Sequence, residues 1–106
     1  MKLPKVIADL IAAQDKYDSK AFAENFSNDA IVQDEGKTYQ GKTEIRQWSE
    51  MTNAKYKTKY EPLEVTTKGD NIILTAKISE TFPGSPAIIK YNFGTKNDKI
   101  ASLRIV

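Results

Sequence analysis

Chemistry in this chain has to come from carboxylates, phenols, one indole and amides, because its 106 residues include no histidine and no cysteine. The missing histidine removes a histidine triad, a histidine–metal site and a histidine pH switch. The missing cysteine removes a thiol nucleophile, a thiolate metal site and a disulfide framework, and it suits a reducing cytoplasm. The leading catalytic candidate is then Asp34, in the stretch Ala30 to Gly41. Ile31 and Val32 open it as a strand, Asp34 and Glu35 stand at the strand's end, and Gly36 and Gly41 bracket a short return before a helix. Loop-proximal strand ends of this kind are common places for function. Alternation sends Val32 and Asp34 to one face and Ile31 and Gln33 to the other. If the Val32 face looks inward, desolvation raises the pKa of Asp34 and makes it a base for a proton on carbon beside a carbonyl. The alternative is that Asp34 and Glu35 are solvated turn acids, since acids are mostly exposed.

Other polar and aromatic groups fall at positions from which they could line the same space. Gln14 continues the apolar stripe of Leu3, Ile7, Leu10 and Ile11 on a helix expected over Pro4 to Tyr17; it either ends that stripe near solvent or faces a pocket. Trp48, the only tryptophan, shares the inner face of a helix expected over Gly41 to Asn53 with Ile45 and Thr52. It is either core or cavity wall, and its indole N–H needs a partner if buried. From Lys55 the pattern turns to period two, with Tyr56, Thr58 and Tyr60 opposite Lys57, Lys59 and Glu61. Leu74, Ala76, Ile78, Glu80 and Phe82 share one face of a later strand, so Glu80 interrupts an apolar row near its end and could act as a second carboxylate. Ile89, Tyr91 and Phe93 share a face of the next. No phosphate-binding loop or metal cluster is evident, so no cofactor and no metal are expected.

The elements that must position these groups follow from turn and capping signals. Asp18 or Ser19 caps a short second helix carrying Phe22 and Phe26 on one face. Ser27, Asn28 and Asp29 read as a turn before a strand at Ala30. Pro62 predicts an edge strand or a bulge. Lys68 to Asn71 makes a hairpin turn, Asn71 to Phe82 a long strand, Pro83 to Pro86 a stiff loop, and Ala87 to Thr95 and Ile100 to Val106 two closing strands around a turn at Lys96 to Lys99. Length fits one domain over residues 1–106. Helices followed by a strand meander give an α+β class, with three N-terminal helices packed in a strongly curved, mostly antiparallel sheet that leaves a cone with a mouth. The expected core holds Ile7, Leu10, Phe22, Phe26, Ile45, Trp48, Leu74, Ile78, Phe93 and Leu103. A net charge of +2 provides no strong field for nucleic acid or an anionic membrane. With no long apolar run and no secretory h-region, a soluble cytoplasmic protein is expected. Ile73 and Ile88 on otherwise polar faces add a hint of a homodimer through the outer sheet face.

The element order, with FSNDAIVQDEG, YQGKTEIRQW and the final meander, resembles the nuclear transport factor 2-like superfamily over nearly the whole chain, and its SnoaL-like (polyketide cyclase-like) branch most. The resemblance implies a cone-shaped, cystatin-like roll, a homodimer, and a pocket for a small hydrophobic or aromatic ligand. Ketosteroid isomerases of the superfamily take their general base from a similar A-x-V-x-D strand, which implies that role for Asp34. Their two oxyanion-hole donors fall at Leu10 and near Ile89, neither of which can donate. The histidine of the dehydratase branch is missing, and an Asp–Arg–Asp arrangement of the epoxide-hydrolase kind is not evident around Arg46 or Arg104. Substitute donors would have to come from Gln14, Tyr39, Trp48, Tyr60 or Tyr91. The resemblance thus leaves two readings: an isomerase- or cyclase-type enzyme, or a non-catalytic ligand-binding or dimerisation module on the same cone.

Overall fold

The computed structural model describes residues 2–80 and 86–105. Three helices, α1 (Lys5–Asp15), α2 (Ser19–Glu24) and α3 (Gly41–Tyr56), pack in the concavity of one sheet built from β1 (Phe26–Asp34), β2 (Lys37–Gln40), β3 (Lys59–Lys68), β4 (Asn71–Ser79), β5 (Ala87–Lys96) and β6 (Lys99–Ile105). The sheet order is β2-β1-β6-β5-β4-β3. All neighbours are antiparallel except β1 and β6, which run parallel. The last strand therefore does not close an edge; it inserts between β1 and the meander and joins the helical half of the chain to the strand half.

Local chemistry accounts for most boundaries. Pro4 precedes α1, its carbonyl accepting from the N–H groups of Ile7 and Ala8, and its missing N–H costs nothing there. Asp18 caps α2 by accepting from the Ala21 N–H at 3.1 Å. At the start of α3, Glu44 reaches back to accept from the Gln40 N–H at 2.9 Å. The β1–β2 hairpin turns on Glu35 and Gly36, both at positive φ, between the register partners Asp34 and Lys37. Two left-handed residues suit the twist of a two-residue hairpin, and glycine takes that conformation without strain.

Three expectations need correction. The strand expected from Ala30 begins at Phe26, and Ser27, Asn28 and Asp29 lie within it. Between the pairs Phe26–Ile100 and Ile31–Ser102, β1 spends five residues while β6 spends two. The turn-forming trio is thus a bulge, held by Ser27 Oγ donating to Asp29 Oδ1 at 3.1 Å, and it bends the sheet. Phe26 consequently leaves α2, yet its ring still meets Phe22 with centroids 5.6 Å apart. The period-two reading from Lys55 also starts early: α3 continues through Tyr56 and stops where Lys57 turns left-handed at φ 50°. Pro62 satisfies both of its alternatives, since β3 is an edge strand and its register shifts between Pro62 and Glu64.

All ten expected core residues are buried, joined by Val32, Ala76, Tyr91 and Ile100 among others. The helices are also stitched by a buried polar network. Gln14 Nε2 donates to Asn53 Oδ1 at 2.9 Å and to the Thr58 carbonyl at 2.7 Å, and Asn53 Nδ2 donates to Ser19 Oγ, which lies 2.9 Å from Ser49 Oγ. Every member is satisfied, which is the condition for a buried network to be tolerated. Phe22 touches both Phe26 and Trp48 and is 1% exposed, so Phe22→Ala should destabilise the fold by about 3–5 kcal/mol in a urea titration. A loss below about 1 kcal/mol would contradict this packing.

Candidate functional site

The concave face of the sheet and α3 enclose a cavity of about 180 Å³. Asp34 reaches it from the last position of β1. Val32 is fully buried and Ile31 is exposed, so the pleat carries Asp34 to the inner side. Trp48 Nε1 donates to Asp34 Oδ2 at 3.2 Å, which satisfies the indole and anchors the carboxylate. Desolvation pushes the Asp34 carboxyl above its ordinary range; the Trp48 hydrogen bond opposes this in part, and the charge of Glu35 adds to it. Among the described residues Asp34 has no ion-pair partner.

Glu80 enters from beyond the end of β4, where Thr58 Oγ1 donates to its Oε2 at 3.1 Å. Its carboxyl is also raised, first by desolvation and then, against the Thr58 bond, by the charges of Glu35 and Asp34. Tyr60 on β3 and Tyr91 on β5 stand on the same wall with ring centroids 5.4 Å apart and share a hydrogen bond. Burial pushes both phenols up, and the negative charges of Asp34 and Glu80 push them further. Both therefore stay protonated at neutral pH and remain hydrogen-bond donors. The ring of Tyr39 on β2 lies tilted against Trp48, with centroids 5.8 Å apart.

The structure brings Asp34, Tyr39, Trp48, Tyr60, Glu80 and Tyr91 to this one cavity. Gln14 is not with them: it is buried between α1, α3 and the chain entering β3, with its amide engaged in the helix network. Phe82 lies outside the described residues. Sequence reasoning missed Tyr56, which lines the cavity from the last turn of α3. Trp48, Thr52 and Tyr56 repeat every four residues, a helical signal that ending the helix at Asn53 hid. Ile78, Ile89 and Ile105 supply apolar wall; the faces of Ile78 and Ile89 were legible from alternation, though not as cavity lining. The ketosteroid isomerase donor positions are apolar as expected, but differently placed: Ile89 lines the cavity and Leu10 is sealed in the core.

A crystal structure of a proposed polyketide cyclase from Sinorhizobium meliloti superposes on this chain with a TM-score of 0.94 at 38% identity, over 98% of this chain and 95% of that one. The chain belongs to the SnoaL-like, polyketide cyclase-type branch of the nuclear transport factor 2-like superfamily. More distant solved structures show the fold alone. A hypothetical protein with a ketosteroid isomerase-like fold from Catenulispora acidiphila, solved with trimethylamine, matches at TM-score 0.88 and 20% identity, over 99% of this chain and 86% of its own. A nuclear transport factor 2-like protein of unknown function from Cytophaga hutchinsonii matches at TM-score 0.82 and 15% identity, over 100% and 93%. No family model and no curated protein matches the sequence.

In this SnoaL-like site the Asp34 carboxyl should titrate above about 3.9 in an NMR experiment. Trp48→Phe removes the donor that favours the charged form, so Asp34 should then titrate higher still. An Asp34 that titrates at or below the ordinary value would mean that it is solvated.

Proposed function

We propose that the cone takes a small hydrophobic or aromatic ligand of about one ring, and that Asp34 acts on it as general base in an isomerase- or cyclase-type reaction. The observation that carries this is a desolvated carboxylate, oriented by Trp48, at the wall of a cavity of about 180 Å³. An engineered cavity of roughly 150 Å³ holds benzene, so one ring is the right scale. Asp34 takes a proton from the carbon beside a carbonyl, and the neutral phenol of Tyr60, which accepts from Tyr91, donates toward the oxygen on which charge develops. Tyr39, Trp48 and Glu80 complete the ligand-facing set. Placing a donor on β3, backed by Tyr91 on β5, offsets the loss of donor side chains at Leu10 and Ile89. The second reading, a ligand-binding module without turnover, is favoured by the same two apolar positions. Residues 1–106 form one such unit, working as a homodimer in the cytoplasm. The exposed Ile73 and Ile88 on the outer sheet face support the dimer, and the absence of cysteine suits the compartment. Among the described residues no helix is long and apolar enough to cross a membrane.

The test uses a one-ring β,γ-unsaturated ketone, cyclohex-3-enone, followed by NMR for movement of its double bond. The wild-type protein should accelerate the shift, and Asp34→Asn should cost roughly 10²–10⁴-fold with an unchanged circular dichroism spectrum. The rate should fall as pH drops through the raised Asp34 pKa, because only the ionised carboxylate accepts the proton. Retained ligand binding without acceleration would leave the binding module as the function. Light scattering at tens of micromolar should give twice the chain mass; a monomer would remove the dimer.

A further inference from the structure

Strand pairing places the candidate base, an isoleucine and a phenol in one line across the cavity. Val32 pairs with Leu103 and Gln33 with Arg104, so Asp34 at the end of β1 stands beside Ile105 at the end of β6, and Ile105 pairs with Tyr91 on β5. All three residues line the cavity. Adjacent strands lie about 4.8 Å apart, so two steps separate the backbones of Asp34 and Tyr91 by about 10 Å, with the Ile105 side chain between them. A ligand that reaches from the Asp34 carboxylate to the Tyr60 and Tyr91 phenols therefore lies across Ile105. A second cavity, of about 300 Å³, opens at the same end of the sheet. Asp34, Glu35, Lys37 and Ile105 belong to both, and Gln33, Thr38 and Arg104 line the far side of the second. Of the three isoleucines in the wall of the first cavity, Ile105 alone is shared with the second. Leu103, two residues earlier on the same face, is 2% exposed and lines neither cavity, whereas Ile105 is half-buried.

We propose that Ile105 is the specificity-determining residue of this pocket: its side chain is a stop at the junction of the two cavities and limits the ligand to a single ring. The ring of a one-ring ketone lies over Ile105, with its acidic carbon toward Asp34 and its carbonyl oxygen toward Tyr60. A second fused ring has to extend past the first, and Ile105 fills the space through which it would reach the second cavity. β-Branching leaves the side chain few rotamers, so it does not swing aside as a methionine would. Replacing it by alanine removes three carbons at that junction and joins the two spaces. This inference rests on the cone being a ligand pocket with Asp34 as its base, as proposed above, and adds which residue sets the size of what enters.

Trp48 is the only tryptophan and lines the cavity, so its fluorescence reports occupancy directly. Two probes, cyclohexanone and its two-ring homologue 2-decalone, are titrated into the full chain. Burial of apolar area favours 2-decalone wherever both fit. The wild-type chain should instead bind cyclohexanone at least about tenfold more tightly, and Ile105→Ala should tighten 2-decalone at least about tenfold while leaving cyclohexanone within about threefold. Ile105→Val, which removes one methyl group, should move 2-decalone in the same direction by less, and it decides the matter if the alanine variant does not fold. Leu103→Val trims the same face of β6 outside the cavity and should leave the preference unchanged. Wild-type protein that binds 2-decalone as tightly as cyclohexanone, no gain of 2-decalone in the Ile105 variants, or an equal gain in Leu103→Val overturns the stop and leaves the pocket standing. Failure of cyclohexanone to bind the wild-type chain overturns the pocket, and the stop with it.

Discussion

A carboxylate on the inner face of a curved sheet is tolerated only if something holds it, and the Trp48–Asp34 hydrogen bond is that hold. The bond does three things at once. It satisfies the indole N–H of a side chain that is 5% exposed, it offsets part of the desolvation of Asp34, and it ties α3 to the end of β1. Trp48 packs against buried Phe22 on one side and the cavity-lining Tyr39 on the other, so the core helps set its position. The orientation of the candidate base is therefore inherited in part from the hydrophobic core. Phe26, Phe22, Trp48 and Tyr39 form a chain of ring contacts from the start of β1 to the mouth of the cavity.

Much of this was legible because it depends on period and local chemistry. The alternation of Val32 with Asp34, and of Leu74, Ala76 and Ile78 with polar residues, fixed which faces turn inward. What stayed hidden depends on partners distant in the chain. Ser27, Asn28 and Asp29 carry the same chemistry whether they end a helix or bulge within a strand, and only pairing with β6 decides between them. That pairing is parallel and spans most of the sequence, so no local signal announces it. Gln14 shows the same limit. An amide at the end of an apolar stripe reads equally as a pocket group or a network member, and Asn53 and Thr58, which decide the matter, lie about forty residues away. Lys55 and Tyr56 misled for a local reason, since a short lysine- and tyrosine-rich run fits either period.

The cavity is asymmetric in how its polar groups are supported. Gln14, Asn53, Ser19 and Ser49 close on one another and leave nothing for a ligand, which makes the helix layer a rigid back wall. Around the cavity the Trp48 bond supports Asp34 and the Thr58 bond supports Glu80. A carboxylate has room for about four hydrogen bonds, so Asp34, with one, keeps accepting capacity that a proton on a ligand can use. Saturated polar groups behind an Asp34 with capacity to spare are what preorganisation requires: rigid support, and unspent capacity facing the substrate.

The direction of the shifted pKa values sets what that capacity demands of the fold. Asp34 and Glu80 are both raised, so the folded chain holds their protons more tightly than the unfolded chain does. By linkage, each contributes against stability as pH rises above its unfolded pKa, in full once pH passes its folded pKa, and that penalty is gone below the unfolded value. At neutral pH both acids are therefore kept ionised at some expense to the fold. Replacing either by its amide would relieve the expense with almost no change of shape. Positions where a chain carries a destabilising charge, with a neutral isostere available, are positions where activity and stability pull apart. Among the described residues the core shows no such conflict; its buried side-chain polar groups are all partnered. The conflict is confined to the two acids at the mouth of the cone, and it is the strongest physical reason for reading that cavity as a site rather than as a packing defect.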